Sequence, residues 1–409
     1  MGKESYLRTD GERKAAEIWA ERETIFPIEK EKHPWFFMLG IVLYFLTSVV
    51  LLLFFEVNSL GWLFVISSVV VLIILRESKY WQGFAVPLFW AGIIVMALLI
   101  GTATKEVSFE GAITSKLTLP RMQSELPWSS GMTTEEIAAY NLEQAQAEWS
   151  SRGYELSKID LKDFSMDMIA PVNDNGKVVL FLHGGHYLYG LTNDYRDAAV
   201  HFSKAAGNAK VLLPDYRCAD RGKYPAALVD AMAAYQWLLE QGYEGEKIIL
   251  AGDGVGGGMA ISMAMYLRDF ALEMPKAIIT WSALTDFKQK SHSVYDNLDR
   301  DPIMGPLMYS KEPSSHPYIV DASVNIEDVY LSPANGSFYG LPPMLMQVGS
   351  REVLLTDTES VAKQAIKMGA SVQQTTYLAM FYGFQMAYDL PESEQAWLEI
   401  EEFITALDE

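Results

Sequence analysis

Cysteine is nearly absent from this chain: Cys218 is the only one in 409 residues. No internal disulfide framework and no multi-cysteine zinc site can be built from it. Basic residues are scarce as well, with 32 Lys and Arg against 52 Asp and Glu and a net charge of −20. A surface that acidic repels a phosphate backbone, which removes nucleic-acid binding from the candidate functions. Histidine stops early. The six are His33, His183, His186, His201, His292 and His316, so nothing downstream of residue 316 supplies an imidazole. Apolar residues, by contrast, make up 50% and aromatics 12%, enough for a large core and too many for a disordered chain. The length suits about two to three folded units.

The apolar residues are unevenly spread. Trp35–Phe55, Val57–Leu75 and Tyr80–Gly101 are uncharged runs of 21, 19 and 22 residues. At 1.5 Å per helical residue the first extends about 31 Å, the thickness of a bilayer's hydrocarbon core. Three transmembrane helices are therefore predicted over 35–101, preceded by an N-terminal arm, residues 1–34. That arm is polar and charged, which does not fit a cleaved signal peptide. Lys3, Arg8, Arg13, Lys14, Arg22, Lys30 and Lys32, with Arg76 and Lys79 in the second loop, put nine basic residues on one side. The other side has Lys105, Lys116 and Arg121. The positive-inside rule then places the arm in the cytoplasm and the C-terminal domain outside it. The lipid bilayer is thus an expected partner.

Residues 102–409 hold 42 of the acids and 23 of the bases, so nearly all the net charge belongs to this soluble part. A connector and lid helix, 102–152, comes first. Thr133-Thr134-Glu135-Glu136 reads as a capping box, followed by Ala138, Leu142, Ala145 and Trp149 at helical spacing. From 153 onward the pattern changes. Tyr154 through Ile169 alternates like an antiparallel strand pair. Short apolar runs at 177–182, 210–213, 247–250, 276–280 and 343–348 read as buried parallel strands. Helices are predicted near 195–206, 225–241, 256–270, 354–368 and 392–407, and residues 284–341 as a loop-helix insertion. This alternation specifies an α/β fold.

Three loops at predicted strand ends carry residues suited to chemistry, where open parallel sheets place their sites. His183-Gly184-Gly185-His186 has the glycines of an oxyanion loop. Gly252-Asp253-Gly254-Val255-Gly256-Gly257 runs from a strand directly into a helix, the setting of a nucleophile elbow. Gly349-Ser350-Arg351-Glu352 presents an acid. The second loop also spells G-x-G-x-x-G, but the next strand lacks the acid a dinucleotide's ribose requires, so nucleotide binding is set aside.

Taken together, Tyr154 to Leu407 resembles the hormone-sensitive-lipase-like family of α/β-hydrolases. The resemblance rests on the His183-Gly184-Gly185 motif, Asp215-Tyr216-Arg217 and Tyr224-Pro225-Ala226-Ala227 with Asp230 and Trp237. It extends through Gly252-Asp253 with Gly256-Gly257, Asp301-Pro302, Leu341-Pro342-Pro343, and the stretch from Gln347 to Leu355. It implies an α/β-hydrolase fold, a mostly parallel sheet flanked by helices with a lid insertion. It also implies carboxylic-ester chemistry by a serine, a histidine and an acid. Carried over, the acid position is Glu352, the serine position holds Gly254 and the histidine position holds Tyr382. His186 stands at the oxyanion loop's third glycine, and Gly184, Gly185, His186 and Val255 are expected to line the cleft.

With the nucleophile and histidine positions so occupied, the expectation is a membrane-anchored pseudoenzyme. It would bind or scaffold around an acyl- or ester-like ligand or a protein partner. The alternative is an ester hydrolase with a rearranged site using Glu352, Tyr382 or His186. The Tyr382 hydroxyl is expected to bond Glu352, and Asp253 or Tyr382 would be the only nearby substitutes for a nucleophile. Met259, Met263 and Met265 read as core, His292 and His316 as surface residues, Asp299 and Asp301 as loop-holding, and Cys218 as a structural thiol. Neither a metal nor an organic cofactor is implied.

Overall fold

The structure, a computed structural model, describes residues 132–308, 316–319 and 323–408, together with Val107, Gly111 and Thr114. The three predicted transmembrane stretches lie outside the described residues. Among the described residues, no helix is long and apolar enough to cross a membrane.

Eight strands form one sheet in the order β1-β2-β4-β3-β5-β6-β7-β8. β1 (Tyr154–Asp160) and β2 (Ser165–Pro171) pair antiparallel, and β2 pairs antiparallel with β4 (Lys210–Asp215). From β4 onward the sheet is parallel, through β3 (Val178–Leu182), β5 (Ile248–Asp253), β6 (Ala277–Trp281), β7 (Met344–Gly349) and β8 (Val372–Tyr377). β3, β5, β6 and β7 are buried at every residue, which explains their largely apolar sequence: both faces are covered, and the polar exceptions Asp253, Thr280 and Gln347 are buried with the rest.

The covering layers are helices. α1 (Thr134–Gln146) precedes the sheet, and α2 (Asn193–Ala205), α3 (Ala226–Glu240) and α4 (Gly254–Asp269) follow β3, β4 and β5. The insertion between β6 and β7 contributes two short helices, α5 (His292–Asp296) and α6 (Gly305–Met308). α7 (Leu355–Lys367) and α8 (Pro391–Ala406) complete the chain. Met259, Met263 and Met265 on α4 are core, as their spacing suggests.

Two expectations need correction. The capping box of α1 forms in both directions, but the stripe through Leu142 is not its buried face: Leu142 is 59% exposed, and Ile137 and Asn141 are buried instead. The reason is polar. Asn141 donates to the Leu188 carbonyl (2.9 Å) and accepts from the Gly190 N–H (3.0 Å), so α1 is held on the loop after β3 by hydrogen bonds.

β8, VQQTTY, has no apolar run, and the sequence pattern does not mark it as a strand. It is an edge strand stapled to α8 by Glu399, whose carboxylate accepts from Gln347 (2.7 Å), Gln373 (2.9 Å), Tyr377 (2.8 Å) and the Thr375 hydroxyl. Glu399→Ala removes the acceptor these donors share, and of the four only Gln347 keeps another, the Ala396 carbonyl. It is expected to lower the unfolding free energy by about 2–3 kcal/mol in urea titrations followed by circular dichroism.

Candidate active site

Four loops converge at the carboxyl ends of the parallel strands: 183–190 after β3, the β5–α4 junction, 350–354 after β7 and 378–386 after β8. The β5–α4 junction is the tightest. Asp253 ends the strand in extended geometry and Gly254 begins the helix at φ +51°, a left-handed conformation that glycine adopts without strain. A side chain here would point at the Tyr382 ring. A Cβ on Gly254 would lie 3.3 Å from the phenol's Cζ and closer still to its hydroxyl. The Tyr382 oxygen therefore occupies the space into which a residue at the elbow would project.

That hydroxyl does not reach Glu352, contrary to expectation. It donates to Asp253 Oδ2 at 2.6 Å. Tyr195, from α2, donates to the same oxygen at 3.3 Å and itself accepts the Gly184 N–H at 3.0 Å. Two phenols from opposite ends of the fold thus share one carboxylate, which sequence motifs could not reveal because Tyr195 belongs to none of them. Asp253 is fully buried and its Oδ1 has no partner. Burial raises its pKa to about 6, with the two tyrosine hydrogen bonds opposing the rise. The same burial, with the charge of Asp253, keeps Tyr382 protonated far into the alkaline range.

The oxyanion-type loop is similarly preoccupied. Gly184 spends its N–H on Tyr195, and a Cβ on it would come within 2.6 Å of the Tyr382 hydroxyl. Gly185 has φ +93°, and a Cβ there would meet the Tyr189 carbonyl at 2.5 Å, so only glycine fits. His186, at φ +56°, is buried and turns away from Gly254's neighbours toward the insertion. Its ring stands edge-on to His316 (4.8 Å) and stacks on Phe287 (6.3 Å). His316 is therefore a buried member of an aromatic cluster and not a surface histidine. Burial lowers the His186 pKa to about 4, so it is neutral. His183, stacked on Tyr216 at 4.0 Å, is likewise neutral, and its Nδ1 bonds the Gly184 carbonyl.

Val255 is buried at the first turn of α4. Glu352 follows β7 as the motif implies, buried, with Oε1 accepting the Gly349 N–H. Asp301 holds its loop by capping the Ile303 and Met304 N–H groups, and Cys218 is buried. Among the described residues, no group of three or more His, Cys, Asp or Glu is placed to hold a metal ion.

Comparison with known proteins agrees with this architecture. A family model described as alpha/beta hydrolase fold matches residues 179–386. An acetyl-hydrolase of Streptomyces hygroscopicus is 30% identical over 283 residues, covering 69% of this chain and 93% of that protein. An esterase of Acinetobacter venetianus is 30% identical over 233 residues, 57% of this chain and 76% of its own length. Among solved structures, an esterase from the bacterial hormone-sensitive lipase family superposes with a TM-score of 0.63 at 28% identity, covering 73% of this chain and 97% of that one.

Three outcomes are expected here. Gly254→Ser places a Cβ against Tyr382 at a left-handed φ, and should cost about 2–4 kcal/mol in thermal or urea unfolding. Adding Tyr382→His should recover part of that loss, because the shorter ring vacates the space. The Asp253 pKa is raised in the folded state from 3.8. Its contribution is therefore fully present below that value and is lost as pH rises through about 6. Asp253→Asn should remove a loss on the order of 2–3 kcal/mol between pH 4 and pH 7, read from the difference in pH-dependent stability between variant and parent.

Proposed function

This chain belongs to the α/β-hydrolase fold family, on its esterase/lipase branch, and from that membership we propose that its domain is a pseudoenzyme: a binding or scaffolding module that keeps the fold without ester hydrolysis. One observation carries the reading. Where acyl transfer requires an activated oxygen, Gly254 offers none, and the nearest hydroxyl, that of Tyr382, is committed to Asp253.

Ester hydrolysis of this type needs a nucleophile, a base to take its proton and an acid to orient the base. Gly254 supplies no nucleophile. Tyr382 is held as a neutral phenol, and Asp253 is fully enclosed, so neither substitutes readily. The sequence has no histidine beyond His316, and that ring packs with His186 against Phe287. Loss of a serine or histidine in a serine hydrolase lowers turnover by roughly 10⁶, leaving about 10³ to 10⁴ over water from binding and oxyanion donors. The module would take a small acyl- or ester-like ligand, or a protein partner, at the loops around Gly185, Val255 and Tyr382.

The names of the relatives favour a second reading, an ester hydrolase with a non-standard site. It would have to draw its base from Glu352, Tyr382 or His186, and the burial of all three speaks against it. We also propose that the three apolar stretches anchor the chain in a membrane, with the domain on the side opposite the N-terminal arm. The asymmetry of Lys and Arg supports this reading.

A fluorophosphonate probe and short p-nitrophenyl esters distinguish the two readings on the full chain in detergent. The expected result is no labelling and no turnover above buffer; labelled protein would overturn the pseudoenzyme proposal. Gly254→Ser combined with Tyr382→His should gain probe labelling, since it returns an oxygen to the elbow and opens the space beside it.

A further inference from the structure

With Tyr382 turned to Asp253, Glu352 is left where an ionised carboxylate is poorly supported. It is fully buried beyond β7. Oε1 accepts the Gly349 N–H, Oε2 has no partner in good geometry, and the nearby Ser282 hydroxyl is the carboxylate's one further, weak donor. The titratable groups acting on it are acids and a phenol: Asp301 from the insertion, Asp253 from the end of β5, and Tyr382. The charge of Arg351 acts on Asp301.

Asp301 is also buried but far better provided. Its carboxylate accepts three backbone N–H groups, from Ile303 (3.1 Å), Met304 (2.9 Å) and Val353 (3.0 Å). An ionised Glu352, fully buried with so few donors, is strongly disfavoured, and a second carboxylate nearby adds repulsion. Of two interacting acids, the one with fewer donors retains the proton.

We propose that Glu352 and Asp301 form a buried acid pair in which Glu352 keeps its proton at neutral pH, so that the joint between the insertion and the loop after β7 depends on that proton. This goes beyond the loss of hydrolysis and stands whether or not the chain turns over esters. It is the reverse of the role the resemblance implies, in which this acid is charged and orients a histidine.

The joint is made of short contacts on both sides. Asn297, just after α5, donates to the carbonyls of Glu352 (2.8 Å) and Ser350 (3.1 Å), while Val353 donates to Asp301. Burial first, then the charge of Asp301, hold Glu352 well above the usual carboxyl range, against the smaller opposing pull of the Ser282 hydroxyl and the Gly349 N–H. Asp301 lies at about 6. Because the folded-state value is raised, the stabilisation is complete below the ordinary carboxyl range and is lost as pH rises through the folded value. Alkaline pH therefore puts two negative charges at this joint and loosens it.

Infrared spectroscopy of the full chain in detergent tests the pair. At pH 8, Asp253, Asp301 and Asp357, each near 6, are ionised. A protonated-carboxyl C=O band should nevertheless persist, and should be missing in Glu352→Gln, which is isosteric and should keep the parent's melting temperature at that pH. In Asp301→Asn the neighbouring charge is gone, so the band should titrate away at a pH lower by one unit or more, a tenfold change in proton affinity. Absence of the band from the parent at pH 8 would overturn the pair, as would an unmoved midpoint in Asp301→Asn. The Asp301→Asn comparison decides the matter even if Glu352→Gln does not fold. Fluorophosphonate labelling of the parent would overturn the pseudoenzyme reading and leave this result untouched.

Discussion

One carboxylate organises this site. Asp253 ends the strand that leads into the sharpest turn of the fold, and it is enclosed completely, so its charge must be met by donors or by protonation. Two phenols meet it from elements distant in sequence, Tyr195 on α2 and Tyr382 in the loop after β8. Their convergence fixes the ring of Tyr382 over Gly254 and ties the N–H of Gly184 into the same network through Tyr195. The loops at the strand ends are thereby held to one another.

The electrostatics follow from the same arrangement. Ester hydrolysis develops negative charge on oxygen, which active sites stabilise with donors held ready and a base that becomes cationic. Beside Gly254 the structure places the Asp253 carboxylate and the Tyr382 phenol, Glu352 is buried after β7, and two neutral histidines, His183 and His186, lie on the loop after β3. Burial raises the proton affinity of both carboxyl groups.

The fold tolerates this because its stability comes from elsewhere. β3, β5, β6 and β7 are buried along their whole length, and none of that burial involves a side chain at position 254. Glycine relieves the left-handed turn of a Cβ that any other residue would have to accommodate. Family membership is written in the sheet and its covering helices, whereas chemistry rests on a few side chains at the strand ends.

The sequence by itself determined the α/β architecture, because strands buried on both faces must be largely apolar and helices covering them must repeat at helical spacing. Runs such as VVLFL and IILAGD, and the glycines of the β5–α4 turn, carry that information locally. It also located the three loops of the candidate site and showed that no imidazole follows residue 316. Polar elements were illegible: β8 is an edge strand whose partners are side-chain hydrogen bonds to Glu399, and α1 is seated by Asn141 and not by its apolar stripe. Only the tertiary structure decided where hydroxyls point. Tyr382 chose Asp253 over Glu352, and His186 turned to His316 and Phe287, because a buried polar atom takes the partner that three-dimensional packing brings within reach, and sequence separation sets no limit on that choice.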